Sequence, residues 1–462
     1  MRKAGFAVVA LVCAVSVSAA QATTIKPTVK SDDSATNGNC TVREAVDAAT
    51  TNQPVDACPK GQKKQADKIP LRRGTYSLAG ADSDDDNETG DLDVEGGGPL
   101  QIVGRGIGRT TLASPGGDRV LHFLEGPTGS PANVRLGGLI LDGGSPDLWG
   151  GVIQAEDIAG RLTLDRVNVQ DGALQFGGGI WINSGKLTVK RSVFEGNSAR
   201  VSSTGFPGVM AIGGAIELAG TSSAKITDTT FFDNSAITND SSALGGAIAL
   251  QSNADAVIRR SLFEGNDAYS SSANTGSTRL GGAIWMSSLG TLRVVNSTFY
   301  LNRALGSGAG ARGGAFYGAA AGSTEFVHST FLENDATSGT TFLVNDGSLE
   351  LSRSVVQPDG VTAACGVLAG DFHSNGYNVA PNTFGCDLEG PGDKLADPLL
   401  DDSPEDNGGP TETIKLKKAS PAVNRIPAPK CKPAQGEDQR RYRRPAGRRC
   451  DSGAYERGAK RR

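Results

Sequence analysis

Apolar and polar residues alternate along much of the chain, in short runs. In Lys186-Leu187-Thr188-Val189-Lys190 every second residue is apolar, and the same slots recur in Ala224/Ile226, Ala256/Ile258 and Leu292/Val294. A period of two over four or five residues, bounded by Gly, Ser, Asn and Asp, predicts strands. Between these runs one phrase returns five times: Gly177-Gly178-Gly179-Ile180, Gly213-Gly214-Ala215-Ile216, Gly245-Gly246-Ala247-Ile248, Gly281-Gly282-Ala283-Ile284 and Gly313-Gly314-Ala315-Phe316. Successive copies start 36, 32, 36 and 32 residues apart. A second phrase, Phe-x-x-Asn, follows each by 17 or 18 residues, at Phe194/Asn197, Phe231/Asn234, Phe263/Asn266, Phe299/Asn302 and Phe331/Asn334. A fixed internal offset of this kind marks a structural repeat.

A repeat of this length with two or three short strands cannot bury its own apolar face. Stacking the copies as rungs about 4.8 Å apart does bury it. The expected fold is therefore all-β, a right-handed parallel β-helix of roughly nine to eleven coils. Ile180, Ile216, Ile248, Ile284 and Phe316 should form one inner column, Val189, Ile226, Ile258, Val294 and Phe326 a second, and the five phenylalanines a third. The five asparagines should stack at a tight corner, their amides bonded from rung to rung, in the left-handed conformation Asn tolerates. The paired glycines suit sharp backbone turns. Weaker rungs extend the stack on both sides. Residues 23–98 read as an N-terminal capping region, 99–380 as the coils, and 381–462 as a C-terminal cap with a basic tail.

Composition agrees with an elongated array. The 462 residues exceed what one ordinary core serves, Gly accounts for 63 of them, and aromatic content is 5%. Residues 1–22 read as a secretory signal peptide: Arg2 and Lys3, an apolar run over 6–17, then Ala20-Gln21-Ala22 as the cleavage site. No later stretch is long and apolar enough to span a membrane. The expected location is outside the cytoplasm, secreted or at the cell surface, with the periplasm as an alternative, and the expected state is a monomer. Six cysteines remain after the leader, with fifteen possible pairings. They fall as neighbours at the two ends, which favours Cys40–Cys58, Cys365–Cys386 and Cys431–Cys450 as staples for coils with no stacking partner.

Several phrases resemble known exported proteins. The Gly-Gly-Ala-Ile and Phe-x-x-Asn phrases resemble the repeat of chlamydial polymorphic outer-membrane proteins. Cys40-Thr41-Val42-Arg43-Glu44-Ala45-Val46 resembles the CSLREA motif of exported bacterial β-helix proteins, and Thr89-Gly90-Asp91-Leu92-Asp93 their next landmark. Asp397-Pro398-Leu399-Leu400, Asn407-Gly408-Gly409-Pro410-Thr411, Ser420-Pro421-Ala422 and Cys450-Asp451-Ser452-Gly453-Ala454-Tyr455-Glu456 resemble the choice-of-anchor Q domain. The resemblance implies a pectin-lyase-like solenoid and export, and it implies no activity.

Three places could carry function. On the strand after the Gly pair the outward column reads Trp181, Glu217, Ala249, Trp285 and Tyr317. If open, its rings would stack on sugars of a polysaccharide or a cell-surface glycan; the alternative is that corner loops cover them. Asp82, Asp84, Asp86 and Asp93 fall at positions 1, 3, 5 and 12 of a calcium-loop pattern, although Asn87 replaces the usual Gly and no flanking helices are evident, so a solvated acidic loop competes with a calcium site. From residue 425 onward there are 13 Lys/Arg against 4 Asp/Glu, a net of +9, which would attract an anionic polymer or only solubilise the tail. The functional expectation is an adhesive or polysaccharide-binding scaffold. The alternative is a polysaccharide lyase or glycoside hydrolase, for which Lys190, Lys225, Arg259 and Arg293 are possible bases. They lack an obvious acidic partner set, the nearest being Asp142, Asp165 and Asp171, and His122, His328 and His373 are scattered. No residue is assigned a catalytic role.

Overall fold

The computed structural model describes residues 22–80, 85–115, 117–125, 129, 132–144, 149–201, 209–272, 274, 276–306, 310–360, 362–431 and 436–461. Its dominant feature is a stack of parallel strands. The strand after each Gly corner belongs to a ten-stranded sheet running from Leu92–Glu95, through Ile180–Asn183 and Ile284–Ser288, to Cys365–Val367. These ten strands number the coils used below, one to ten. The count falls inside the range expected from the repeats.

Each central coil is built alike. In the fourth, the strand Ile180–Asn183 is followed by Lys186–Lys190, Val193–Glu195 and Ser198–Val201. Register is strict: Ile180 pairs with Ile216, Ile216 with Ile248, Ile248 with Ile284 and Ile284 with Phe316, all buried. The phenylalanines stack nearly face to face, with centroids 5.0, 4.7, 4.6 and 4.9 Å apart from Phe194 to Phe331. Offset stacking of this kind adds about 0.5–1.5 kcal/mol per pair beyond the area buried.

The asparagine ladder forms as expected. Each Nδ2 donates to the Oδ1 of the next rung at 2.8–3.0 Å, from Asn197 through Asn234, Asn266 and Asn302 to Asn334. The left-handed residue is not the asparagine, however. It is the residue before it: Gly196, Asp233, Gly265, Leu301 and Glu333 have φ of 51–65°. The reason is burial. Asn234 Nδ2 also donates to Phe194 O at 2.9 Å, so the side chain is used for the ladder, and the preceding residue makes the turn.

A second ladder runs beside the first. The position two before each Phe is Ser or Thr, and Ser261 N–H donates to Ser297 Oγ at 3.2 Å, as Thr229 N–H does to Ser261 Oγ at 3.3 Å. The Gly pair has the expected use. Gly213 has φ of 67°, and a Cβ on Gly214 would meet the carbonyl oxygen of Gly246 at 2.0 Å.

Both ends carry extra structure. The helix Val42–Thr51 is capped by Thr41, whose side chain accepts the Glu44 N–H while Glu44 accepts the Thr41 N–H. It packs on the first coil. Arg43, fully buried, pairs with Asp32 at 2.7 Å and donates to the carbonyls of Thr89, Gly90 and Asp91. The phrase at 40–46 and the phrase at 89–93 are thus one unit, in which the arginine of the first holds the backbone of the second. All three expected disulfides are present.

The C-terminal segment, expected as a terminal cap, lies along the side of the stack. Leu400, Ile414 and Leu416 pack on Leu332, Val355 and Val379 of coils eight to ten. Asn296 donates to Glu437 O at 2.9 Å, and Arg260 pairs with Glu437 at 2.7 Å. Arg441 reaches Asp228 on coil five. No helix among the described residues is long and apolar enough to cross a membrane.

Candidate functional site

The three surfaces singled out from the sequence differ in what the fold does to them. The outward column forms in register, Trp181 beside Glu217, Glu217 beside Ala249, then Trp285 and Tyr317. It does not present open rings. Trp181, Trp285 and Tyr317 are 9%, 7% and 4% exposed. Ile212, Leu244 and Leu280, from the short strands Ala211–Ile212, Ala243–Leu244 and Arg279–Leu280, form an apolar cluster with Ala249, Trp285 and Tyr317. Arg279 helps to hold that cover, donating to the carbonyls of Ser270 and Ser272 at 2.9 and 2.6 Å. The short strands at these corners are thus folded onto the sheet. Trp149, which meets Trp181 at a centroid distance of 5.7 Å, is 39% exposed.

Within this covered column Glu217 is fully buried and bonded to Gln251. Burial pushes its carboxyl up to about 8, and the bond from Gln251 offsets this only in part.

The basic C-terminal segment is tied down at several points. Arg440 pairs with Asp438 at 2.6 Å and lies over the rings of Tyr442 and Tyr455. Arg444 is buried, donating to Asp451 O and Gly453 O at 2.7 and 3.0 Å and meeting His328 Nδ1 at 2.8 Å. His328 is fully buried. Desolvation first, and then the Arg444 charge, hold it neutral, well below the usual histidine range. Arg443, Arg448 and Arg449 remain exposed.

An open charged surface lies elsewhere, on the sheet made by the next strand of each coil. Its outward residues include Arg161 and Lys186 side by side, then Lys190, Lys225, Arg259 and Arg293 across coils four to seven. Arg161, Lys186, Lys190 and Lys225 are exposed, and Arg259 and Arg293 are half-buried. Arg293 pairs with Glu325 at 2.5 Å, but Lys186, Lys190, Lys225 and Arg259 have no ion-pair partner among the described residues. Burial, with the charges of Arg293 and Arg260, presses Arg259 below the usual guanidinium range, a sign of crowded positive charge. Asp165, at the upper edge, accepts from Arg135 at 2.8 Å and Arg191 at 2.5 Å. Burial raises its carboxyl, yet these two arginines outweigh that and hold it below the usual range. It is thus locked as an anion between two cations, which ill suits it to accept a proton.

The acidic run lies at the N-terminal end. Asp82 and Asp84 fall outside the described residues. Asp86 and Asp93, with Asp47, Asn87 and Glu95, line a pocket of about 360 Å³. Desolvation pushes Asp47 up to about 6 and Asp91 to about 7, the latter also through the Asp93 charge. Asp93 does not stand alone: it pairs in register with His122, which the sequence showed only as an isolated histidine. Asp142 and Asp171 stay apart from this end, Asp142 accepting from Gln170 at 3.1 Å.

Comparison with known proteins adds the following. The family model for the right-handed beta helix region matches residues 151–356, spanning coils three to nine. No curated protein matches the chain. Among solved structures the A-module of a mannuronan C-5 epimerase from Azotobacter vinelandii aligns at a TM-score of 0.35 and 13% identity, covering 72% of this chain and 91% of that one. The family match and the parallel stacking of the strands identify the fold as a right-handed parallel β-helix.

Proposed function

We propose that this chain is an exported, disulfide-stapled β-helix scaffold that binds acidic polysaccharide along the open basic sheet of coils four to seven. One observation carries the reading: Lys186 and Lys190 on one rung, Lys225 on the next and Arg259 on the one after make no ion pair among the described residues, the neighbouring Asp165 being engaged by Arg135 and Arg191. The cations are staggered in register, Lys190 in line with Arg259 and Lys225 in line with Arg293, each pair two rungs or about 9.6 Å apart, which gives a rigid basic surface suited to a polymer with repeating carboxylates. Three disulfides favour an oxidising compartment, in keeping with the leader expected over residues 1–22 and with the phrases at 40–46 and 450–456 that resemble exported β-helix proteins.

The test is retention on immobilised polyuronate against neutral dextran, at rising salt. Binding to the polyuronate alone, weakened at least tenfold by Lys190→Glu/Lys225→Glu and by salt, is expected. Equal retention on dextran, or no effect of the double substitution, would refute the reading. Release of new unsaturated or reducing ends in the same incubation would instead favour a lyase or hydrolase.

A further inference from the structure

The covered column of Trp181 and Glu217 continues upward through Gln154 to His122 and Asp93, in unbroken register. It ends in a group of three potential donors. We propose that Asp85, Asp93 and His122 bind one borderline divalent cation of the zinc type.

The geometry supports this independently of the polysaccharide reading. His122 Nδ1 lies 3.3 Å from Asp85 Oδ1 and 3.4 Å from Asp93 Oδ1, and the donor atoms all fall within 4.8 Å of one another. Bonds of about 2.0–2.1 Å to a tetrahedral zinc place its ligands about 3.3–3.4 Å apart. His122 and Asp93 are 7% and 2% exposed, and apart from their long contacts with each other and with Asp85, His122 Nδ1 and Asp93 Oδ1 have no well-formed hydrogen bond. Buried polar atoms left this way are costly, and a shared cation would satisfy both.

The surroundings fix the donors in place. Asp93 Oδ2 accepts the Asn87 N–H at 3.0 Å, and Asn87 Oδ1 accepts the Asp93 N–H at 3.0 Å, so only Oδ1 is turned to the imidazole. Asn87 is held in turn by Arg43 and by Asp47 Oδ1, to which it donates at 2.6 Å. This is the orienting outer layer that metal ligands need. Asp85 is 69% exposed at its side chain and gives an ion a way in.

The donor set also selects the metal. Calcium and magnesium take oxygen ligands, whereas one imidazole with two carboxylates suits zinc and its neighbours. The pattern that suggested a calcium loop is thereby reassigned: Asp93 is shared, His122 enters from the next coil, and Asp86 lines the adjacent pocket. Three protein ligands leave a fourth position for water.

The experiment uses the tag-free full chain, stripped with chelator and titrated with zinc against a chromophoric chelator, with melting followed in parallel. One zinc per chain, a raised Tm and no comparable shift with calcium are expected. Asp85→Asn, at an exposed position, and His122→Asn should each weaken zinc binding by at least about tenfold, the effect seen even for outer-layer changes. Unchanged zinc affinity in Asp85→Asn with unchanged circular dichroism, or a larger Tm shift with calcium than with zinc, would overturn the proposal.

Discussion

Two strands of the same coil, separated by a two-residue turn, meet solvent in opposite ways. Outward residues Ala249, Trp285 and Tyr317, on stacked copies of Ile180–Asn183, lie under a second apolar layer, whereas Lys186, Lys190 and Lys225, on Lys186–Lys190 and the copy below it, stand open. Pointing away from the coil interior is not the same as being exposed. Burial on the outer face is decided by what the corner loops carry, here Ile212, Leu244 and Leu280, and not by the period of the strand beneath. Residue type follows the difference: rings and a neutral carboxyl where the cover lies, unpaired cations where it does not.

The sharpest way to break this comparison is Trp285→Ala. If the column is a covered apolar layer, the substitution destabilises the fold by about 3–5 kcal/mol, measured by denaturant unfolding. An unchanged midpoint would mean that Trp285 is a free platform. Glu217→Gln comes next and depends on pH. A carboxyl raised to about 8 in the fold favours the folded state most below its unfolded value, and that contribution is lost as pH rises through the folded value. The substitution should therefore be near-neutral at pH 5 and stabilising at pH 9, on the order of a few kcal/mol. A Tm gain that is the same at both pH values would count against the burial. The smallest effect belongs to the open face. Lys225→Ala should change stability by no more than about 0.5 kcal/mol while weakening acidic-polymer binding severalfold, and a loss of stability comparable with that of Trp285→Ala would erase the contrast.

The inner columns were legible in the sequence because two periods coincide there. Ile180 and Phe194 sit in an alternation of two, and both recur at the coil length. The asparagine ladder was legible for the same reason, although the left-handed turn belongs to the residue before it. What covers the outer face was not legible, because the loops that carry Ile212 and Leu280 differ in length and have no alternation. The meeting of His122 with Asp93 was hidden for a related reason. The first coils lack the Gly-Gly phrase, so nothing in the chain announces that these residues, 29 positions apart, are rung neighbours. The basic tail was legible only as a count of charges. Charge can be counted from sequence, but the pairing of Arg440 with Asp438 and of Arg441 with Asp228 needs the fold.

A wound ribbon normally holds together only turn by turn, so a defect at one level can let the remainder fray away. The returning segment alters this. Its contacts with Asp228, Arg260, Asn296, Thr330, Arg353 and Val379 bind six levels to a single splint. Levels five to ten should consequently melt as one block, while the four above, beyond the splint's ion pairs, are left to their own neighbours and to the helix that closes them.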